Sequence, residues 1–216
     1  MAFAIAGFAW LLFSRQPAWY GAWFLAVGAV GVFLPGIANQ VTLSRGHLAL
    51  PGVLYALAPA TLGGLALVVA LAGLSDLVDG TVARRTGNIT RAGAAVDPIV
   101  DGVFYGAVAV GLGLGGAYPL WLGIVVLLRY LVPVIAGGTL VALGRLPRFR
   151  HTFFGQLSTT LIATLLGGIA LFRGFGIEVS NIVAGASLLF PLVTLLAWVE
   201  LGRTARDLSR EGPDPE

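Results

Sequence analysis

Four aspartates, Asp76, Asp79, Asp97 and Asp101, fall between positions 76 and 101 of a chain with only ten acidic residues in 216. Asp76 and Asp79 are three apart and Asp97 and Asp101 are four apart, so on helices each pair shares a face. The chain has no cysteine, and neither histidine lies near the four. A carboxylate cluster of this kind is a hard, all-oxygen donor set. It suits Mg²⁺ or Mn²⁺, with enough ligands for two ions. Without cations the four could hardly all stay ionised, because like charges raise each other's pKa.

The elements that must position these groups are apolar. Hydrophobic residues make up 57% of the chain and charged ones 11%, against about 25% charged in soluble domains. Mean hydropathy is +0.91. This composition excludes a cytosolic enzyme, a disordered regulator and a nucleic-acid binder. The net charge of +3 is too small for a polyanion-binding footprint. Runs long enough for ~30 Å of hydrocarbon are Pro17–Ala38, Val41–Ala60, Thr61–Val78, Gly93–Gly113, Pro119–Leu143, Phe154–Phe172 and Asn181–Glu200. The opening run, Ala2–Phe13, is too short to cross and is expected at the interface. The expected fold is therefore all-α and integral to a membrane. It has a six-helix core with one or two additional N-terminal hydrophobic segments, divided as an extension 1–38, a core 39–201 and a tail 202–216.

All thirteen basic residues are arginine, and ten of them gather on one side if the last six spans alternate. These ten are Arg45; Arg84, Arg85 and Arg91; Arg145, Arg148 and Arg150; and Arg203, Arg206 and Arg210. Positive charge collects in cytoplasmic segments, so the 81–92 loop and the C-terminus are expected to face the cytoplasm from the inner or plasma membrane. The 31 glycines permit close helix contact, and Gly102-x-x-x-Gly106 has the spacing of a packing face.

A carboxylate inside a membrane segment costs roughly 2.5–3.5 kcal/mol on insertion scales. Four of them in two consecutive spans require a compensating cation or a water-filled cavity. The short connection between the two spans makes antiparallel neighbours of them, with the four carboxylates converging just below the cytoplasmic interface. A cation- or proton-coupled transporter is one reading of such a cluster. It explains the carboxylates but not the residues between them.

Those residues read Asp76-x-x-Asp79-Gly80-x-x-Ala83-Arg84, then eight positions, then Gly93-x-x-x-Asp97-x-x-x-Asp101. The pattern closely resembles the signature of the CDP-alcohol phosphotransferases, with all eight defining residues at the family spacing. Asn39-x-x-Thr42-x-x-Arg45 resembles the start of that family's first core span. Thr90 before Gly93, and Asp97-Pro98, resemble bacterial phosphatidylglycerophosphate synthases. The resemblance implies an enzyme in phospholipid biosynthesis that moves a phosphatidyl group from a CDP-lipid such as CDP-diacylglycerol to a small alcohol, releasing CMP. It implies a homodimer and metal ligation by Asp76, Asp79, Asp97 and Asp101. By the same resemblance Asp101 is the general base, although nothing in the sequence alone separates it from Asp97. Gly80, Ala83, Arg84 and Gly93 then belong to the nucleotide site, with Asn39, Thr42 and Thr90 serving there or as helix caps.

The acceptor is marked less sharply. Arg129 lies inside a span and resembles the arginine of an Arg-Glu pair in phosphatidylglycerophosphate synthases, but Tyr130 follows it here. An ion pair with one of the aspartates is its alternative role. Arg145, Arg148 and Arg150 could bind an acceptor phosphate or form an ordinary solvated loop. Gly155-Gln156-x-x-Thr159 resembles a Gly-Lys-x-x-Thr element with glutamine replacing the lysine. Glycerol 3-phosphate is the expected acceptor, ahead of an inositol phosphate or serine. His47 is expected at the interface rather than as a ligand.

Overall fold

The computed structural model describes residues 2–34, 36–86, 91–142 and 153–210. The side chains of 76–86, 91–95, 140–142 and 204–210 lie outside that description, as do residues 87–90, 143–152 and 211–216 entirely. The described residues form eight α-helices and no strand: α1 (Ala2–Ser14), α2 (Gly21–Phe33), α3 (Ile37–Ala56), α4 (Leu62–Thr86), α5 (Arg91–Leu114), α6 (Leu120–Ala142), α7 (Phe153–Gly174) and α8 (Ser180–Arg210). Helix is the expected answer for apolar chain in lipid, because it satisfies every backbone donor and acceptor within the segment. Four helices among the described residues are long and apolar enough to cross a membrane, within α5, α6, α7 and α8. Prolines 51, 98, 133 and 191 stand inside α3, α5, α6 and α8, a tolerance that neighbouring helices confer in membranes.

Contacts between helices define their directions. Gly102, Gly106 and Gly113 of α5 meet Tyr130, Leu127 and Leu120 of α6 in that order, so the two run antiparallel. Gly64 meets Tyr55 of α3, and Gly167 meets Val69 of α4, continuing the alternation. The starts of α3, α5 and α7 therefore share one end of the bundle with the ends of α4, α6 and α8. At the opposite end the chain reverses through Gly116 (φ +74°) and Gly176 (φ +72°), where glycine relieves the left-handed strain. Arg173 ties these two turns by donating to the Gly116 carbonyl at 2.6 Å.

The α4–α5 neighbour relation expected from their short connection is modified. Over the described residues α3 packs on both helices, and their mutual contact is minor. Gly52 of α3 lies against Val68 of α4 and against Phe104 and Val108 of α5. The missing side chain is what lets three helices meet at one point. The buried core follows from this arrangement, with Leu65, Phe104, Val108, Leu112, Leu122, Ile162, Leu166 and Phe190 at its centre.

The Gly102-x-x-x-Gly106 face is used inside the protomer. A Cβ on Gly102 would stand 2.8 Å from the Tyr130 Cβ, and one on Gly106 would stand 2.9 Å from Leu127 Cδ1. Gly123 on the facing helix is tighter, since its Cβ would lie 2.6 Å from the Ala109 carbonyl oxygen. Backbone cannot rotate away as a side chain can. Gly123→Ala is therefore expected to cost about 1–3 kcal/mol, the range for overpacking. Gly168→Ala, with no neighbour within 4 Å, should leave the apparent Tm in detergent unchanged. Equal melting temperatures for the two variants would disprove the close α5–α6 approach.

The N-terminal segments form a hairpin on α3. Phe3 faces His47 and Trp10 donates to the Tyr55 hydroxyl at 2.7 Å, so α1 runs parallel to α3 rather than lying across the bundle end. Its 13 residues extend about 20 Å, too short to cross. His47 is accordingly not an interfacial residue: it is buried, stacked on Phe24, and bonded through Nδ1 to the Leu43 carbonyl at 2.9 Å. The apolar α1–α2 hairpin covers the α3 face that the sequence left open to headgroups.

Candidate functional site

The site is organised around a charge on α3. Thr42, Ser44 and Arg45 are buried on that helix, and Arg45 is the largest fully buried side chain among the described residues. Its guanidinium bridges the two α5 carboxylates. Nη1 donates to Asp101 Oδ1 at 2.5 Å, and Nη2 donates to Asp97 Oδ1. The four-residue spacing read from the sequence is the reason one planar fork can reach both. Asp97 keeps 34% of its side chain exposed and Asp101 12%, so the pair has an inner and an outer member. Asp97 lies nearer the start of α5 and Asp101 about one turn further along it.

Arg129 of α6 approaches the same layer from the other side. Its neighbour Tyr130 rests on Gly102, the residue after Asp101 in the chain. Among the described residues Arg129 is hydrogen-bonded to α7 rather than paired with an aspartate. Nε donates to Ser158 Oγ at 2.9 Å and Nη2 to the Gly155 carbonyl at 3.0 Å, both in the first turns of α7. Its guanidinium also lies 5.0 Å from the Tyr130 ring centroid, within cation–π range. Among the described residues no carboxylate is within ion-pair distance of it. Among the described residues its hydrogen-bond acceptors are neutral oxygens, and a buried cation so held favours a nearby anion. From α8, Glu200 Oε2 accepts from the Phe154 amide at 2.9 Å, fixing the start of α7 where the helix dipole favours negative charge.

Of the residues singled out in the sequence, Asp97, Asp101 and Arg129 thus come together in one layer, with Asn39 and Thr42 on the first turns of α3. Gln156 and Thr159 lie beside Gly155 on α7. Asp76, Asp79, Gly80, Ala83 and Arg84 lie on α4 and Gly93 on α5, with side chains outside the description. Thr90, Arg145, Arg148 and Arg150 lie outside the described residues. Two participants were missed by sequence reasoning. Ser158 carries no signal in an apolar run. Arg45 does carry one: it lies inside the run Val41–Ala60, where the cost argument applied to Arg129 applies equally.

The donor set fits a hard divalent cation. Two carboxylates on one helix face are drawn together by a positive group, and one remains open to solvent. Among the described residues these two are not joined by a third acidic or histidine ligand. Asp76 and Asp79 on α4 are the candidates to complete the set.

Comparison with known proteins agrees with this geometry. The profile of the CDP-alcohol phosphatidyltransferase family matches residues 35–199. The chain is 30% identical over 142 residues to a probable phosphatidylglycerophosphate synthase of Mycobacterium tuberculosis, covering 65% of this chain and 66% of that protein. It is 36% identical over 101 residues to a cardiolipin synthase (CMP-forming) of Streptomyces coelicolor, covering 47% and 46%. It is 30% identical over 146 residues to a probable cardiolipin synthase (CMP-forming) of Drosophila melanogaster, covering 62% and 44%. The matched stretches thus span from just under half to about two thirds of these relatives' lengths. A profile match over most of the chain, from residue 35 just before Asn39 through both aspartate pairs to residue 199 in α8, makes this protein a member of the CDP-alcohol phosphatidyltransferase family.

Proposed function

We propose that the protein transfers a phosphatidyl group from CDP-diacylglycerol to the hydroxyl of a small alcohol and releases CMP. The observation that carries this reading is the pairing of Asp97 and Asp101 with the buried Arg45, with a second buried arginine, Arg129, next to the Tyr130 that packs on Gly102. The acceptor oxygen forms a new bond to the phosphorus next to the lipid, the bond from that phosphorus to CMP breaks, and CMP leaves with the electron pair. Asp76, Asp79, Asp97 and Asp101 would hold Mg²⁺ or Mn²⁺, and the metal when bound neutralises the pyrophosphate and eases departure of the leaving group.

The chain's own residues do the rest. Asp101, the deeper carboxylate, takes the proton from the attacking hydroxyl. Gly80, Ala83, Arg84, Thr90 and Gly93, with Asn39 and Thr42, line the nucleotide. Arg129, hydrogen-bonded to the neutral oxygens of Ser158 and Gly155, supplies positive charge on the acceptor side with Arg145, Arg148 and Arg150, so an anionic acceptor is favoured. Glycerol 3-phosphate is the leading candidate. A site toward the end of the apolar bundle where α3 and α5 start supports the choice of donor, whose acyl tails stay in hydrocarbon while its nucleotide stays in water. The core acts as a homodimer with this end toward the cytoplasm.

The test is CMP release by purified protein in detergent with CDP-diacylglycerol and Mn²⁺ or Mg²⁺. It should be run across glycerol 3-phosphate, inositol phosphate, serine and phosphatidylglycerol, the last because relatives bear the cardiolipin synthase name. Release with glycerol 3-phosphate, abolished by EDTA and restored by Mn²⁺, is the expected result. A folded protein that releases no CMP with any acceptor would sink the proposal and make cation flux in liposomes the next measurement.

A further inference from the structure

We infer that Thr194 and Trp198 of α8 complete an oxyanion site with Arg129, so that the phosphate of the acceptor is held from two helices. This rests on the reading of an anionic acceptor above. Two buried polar atoms carry it. Thr194 is 3% exposed, and neither its hydroxyl nor the Trp198 indole N–H has a hydrogen-bond partner among the described residues. Burying a donor without a partner is costly, and folded interiors keep few such groups. The two residues are four apart on α8, so they share one face of that helix. An indole N–H can only donate, and a threonine hydroxyl can donate as well. What satisfies such a pair must bring acceptor oxygens.

The register of α8 sets these donors at the depth reached by Arg129. Helices α7 and α8 run antiparallel, and Glu200 of α8 meets the Phe154 amide at the start of α7. Measured along the bundle from that contact, Trp198 lies at about 3 Å and Thr194 at about 9 Å. On α7, Gly155 and Ser158 lie at about 2 and 6 Å by the same rise, and both accept from Arg129. Lateral placement agrees. Over the described residues α8 packs on both α6 and α7, whose mutual contact is minor. Arg129 thus crosses from α6 to α7 over a gap that α8 borders. Thr194 belongs to the buried face of α8 with Phe190 and Ala197, the face turned to the bundle interior. A guanidinium, a hydroxyl and an indole N–H then stand at one depth on neighbouring helices. A phosphate group, negative and rich in acceptor oxygens, matches that set. An uncharged alcohol does not.

The experiment is calorimetric titration of the purified protein in detergent with glycerol 3-phosphate, inositol phosphate, inorganic phosphate and, separately, CDP. Wild type, Thr194→Val and Trp198→Phe are compared, with the melting temperature recorded for each. Both replacements keep most of the side-chain bulk and remove one donor. Each is expected to bind the acceptor phosphates about 10- to 150-fold more weakly, the range for a hydrogen bond to a charged group. CDP affinity should not change. Equal losses for CDP and the acceptors would overturn the assignment to the acceptor phosphate. Wild-type affinity in both variants, with a raised melting temperature, would overturn the site and mark the two donors as structural only. If one variant does not fold, the other decides by the same readout. A wild type that binds none of the phosphate compounds would remove the oxyanion site, even if CMP is released with serine. Absence of CMP release with every acceptor, while the variants lose phosphate binding, would instead sink the transferase reading and leave this site standing.

Discussion

Asp101→Asn should lower CMP release by about 10²–10⁴-fold at saturating Mn²⁺, the contribution of a positioned general base. The amide is close in shape to the carboxylate, but it cannot accept the proton of the attacking hydroxyl. The fold should survive, because Arg45 keeps its ion pair with Asp97. The informative comparison is with Asp97→Asn. Asp97 is the more exposed of the two and is proposed as ligand only, so its variant should regain part of its activity as Mn²⁺ is raised. Asp101→Asn should not. If Asp101→Asn kept more than a tenth of wild-type turnover, the base would have to be sought elsewhere, with Asp97 the next candidate.

Arg129→Gln should raise the acceptor KM while leaving the KM for CDP-diacylglycerol unchanged. A hydrogen bond to a charged group contributes about 1.5–3 kcal/mol, so a loss of about 10- to 150-fold in kcat/KM for glycerol 3-phosphate is expected. The control is Ser158→Ala. It removes the oxygen that accepts from Nε but preserves the charge, so it should cost far less. A purely structural Arg129, serving only to join α6 to the Gly155 carbonyl and Ser158 Oγ of α7, predicts a different pattern. In that case the melting temperature and both KM values would shift together in Arg129→Gln, and an uncharged acceptor such as serine would suffer as much as glycerol 3-phosphate. That outcome would withdraw Arg129 from the acceptor site.

The glycine contacts show how a correct sequence signal can leave its use undefined. Gly102 and Gly106 have the spacing of a close-packing face, which suits a dimer seam or a helix pair within one subunit equally well. The structure places Tyr130 and Leu127 of the same chain against them. His47 is a second case. Local hydropathy suggested an interfacial residue, and the ring is instead enclosed by Phe24 and Phe3. No feature near position 47 reports a hairpin that arrives from 23 to 44 residues earlier in the chain.

What the sequence determined by itself follows from local physics. Apolar runs in lipid must be helical because no other open segment satisfies its backbone, so a helix stands in each apolar run, although α2 is shorter than its run and α4 and α8 continue into polar residues beyond theirs. Aspartates spaced by three and four share faces because of the 3.6-residue period, so the Asp97–Asp101 pairing was legible as well. The tertiary structure alone decided which groups meet across helices. Arg45 reaches both α5 carboxylates, Arg129 turns to Ser158 and Gly155, and α3 takes the groove between α4 and α5. Periodicity specifies a face but not the helix that will cover it. That choice is made by close approaches at small residues such as Gly52 and Gly123, whose packing energies depend on surfaces distant in the chain.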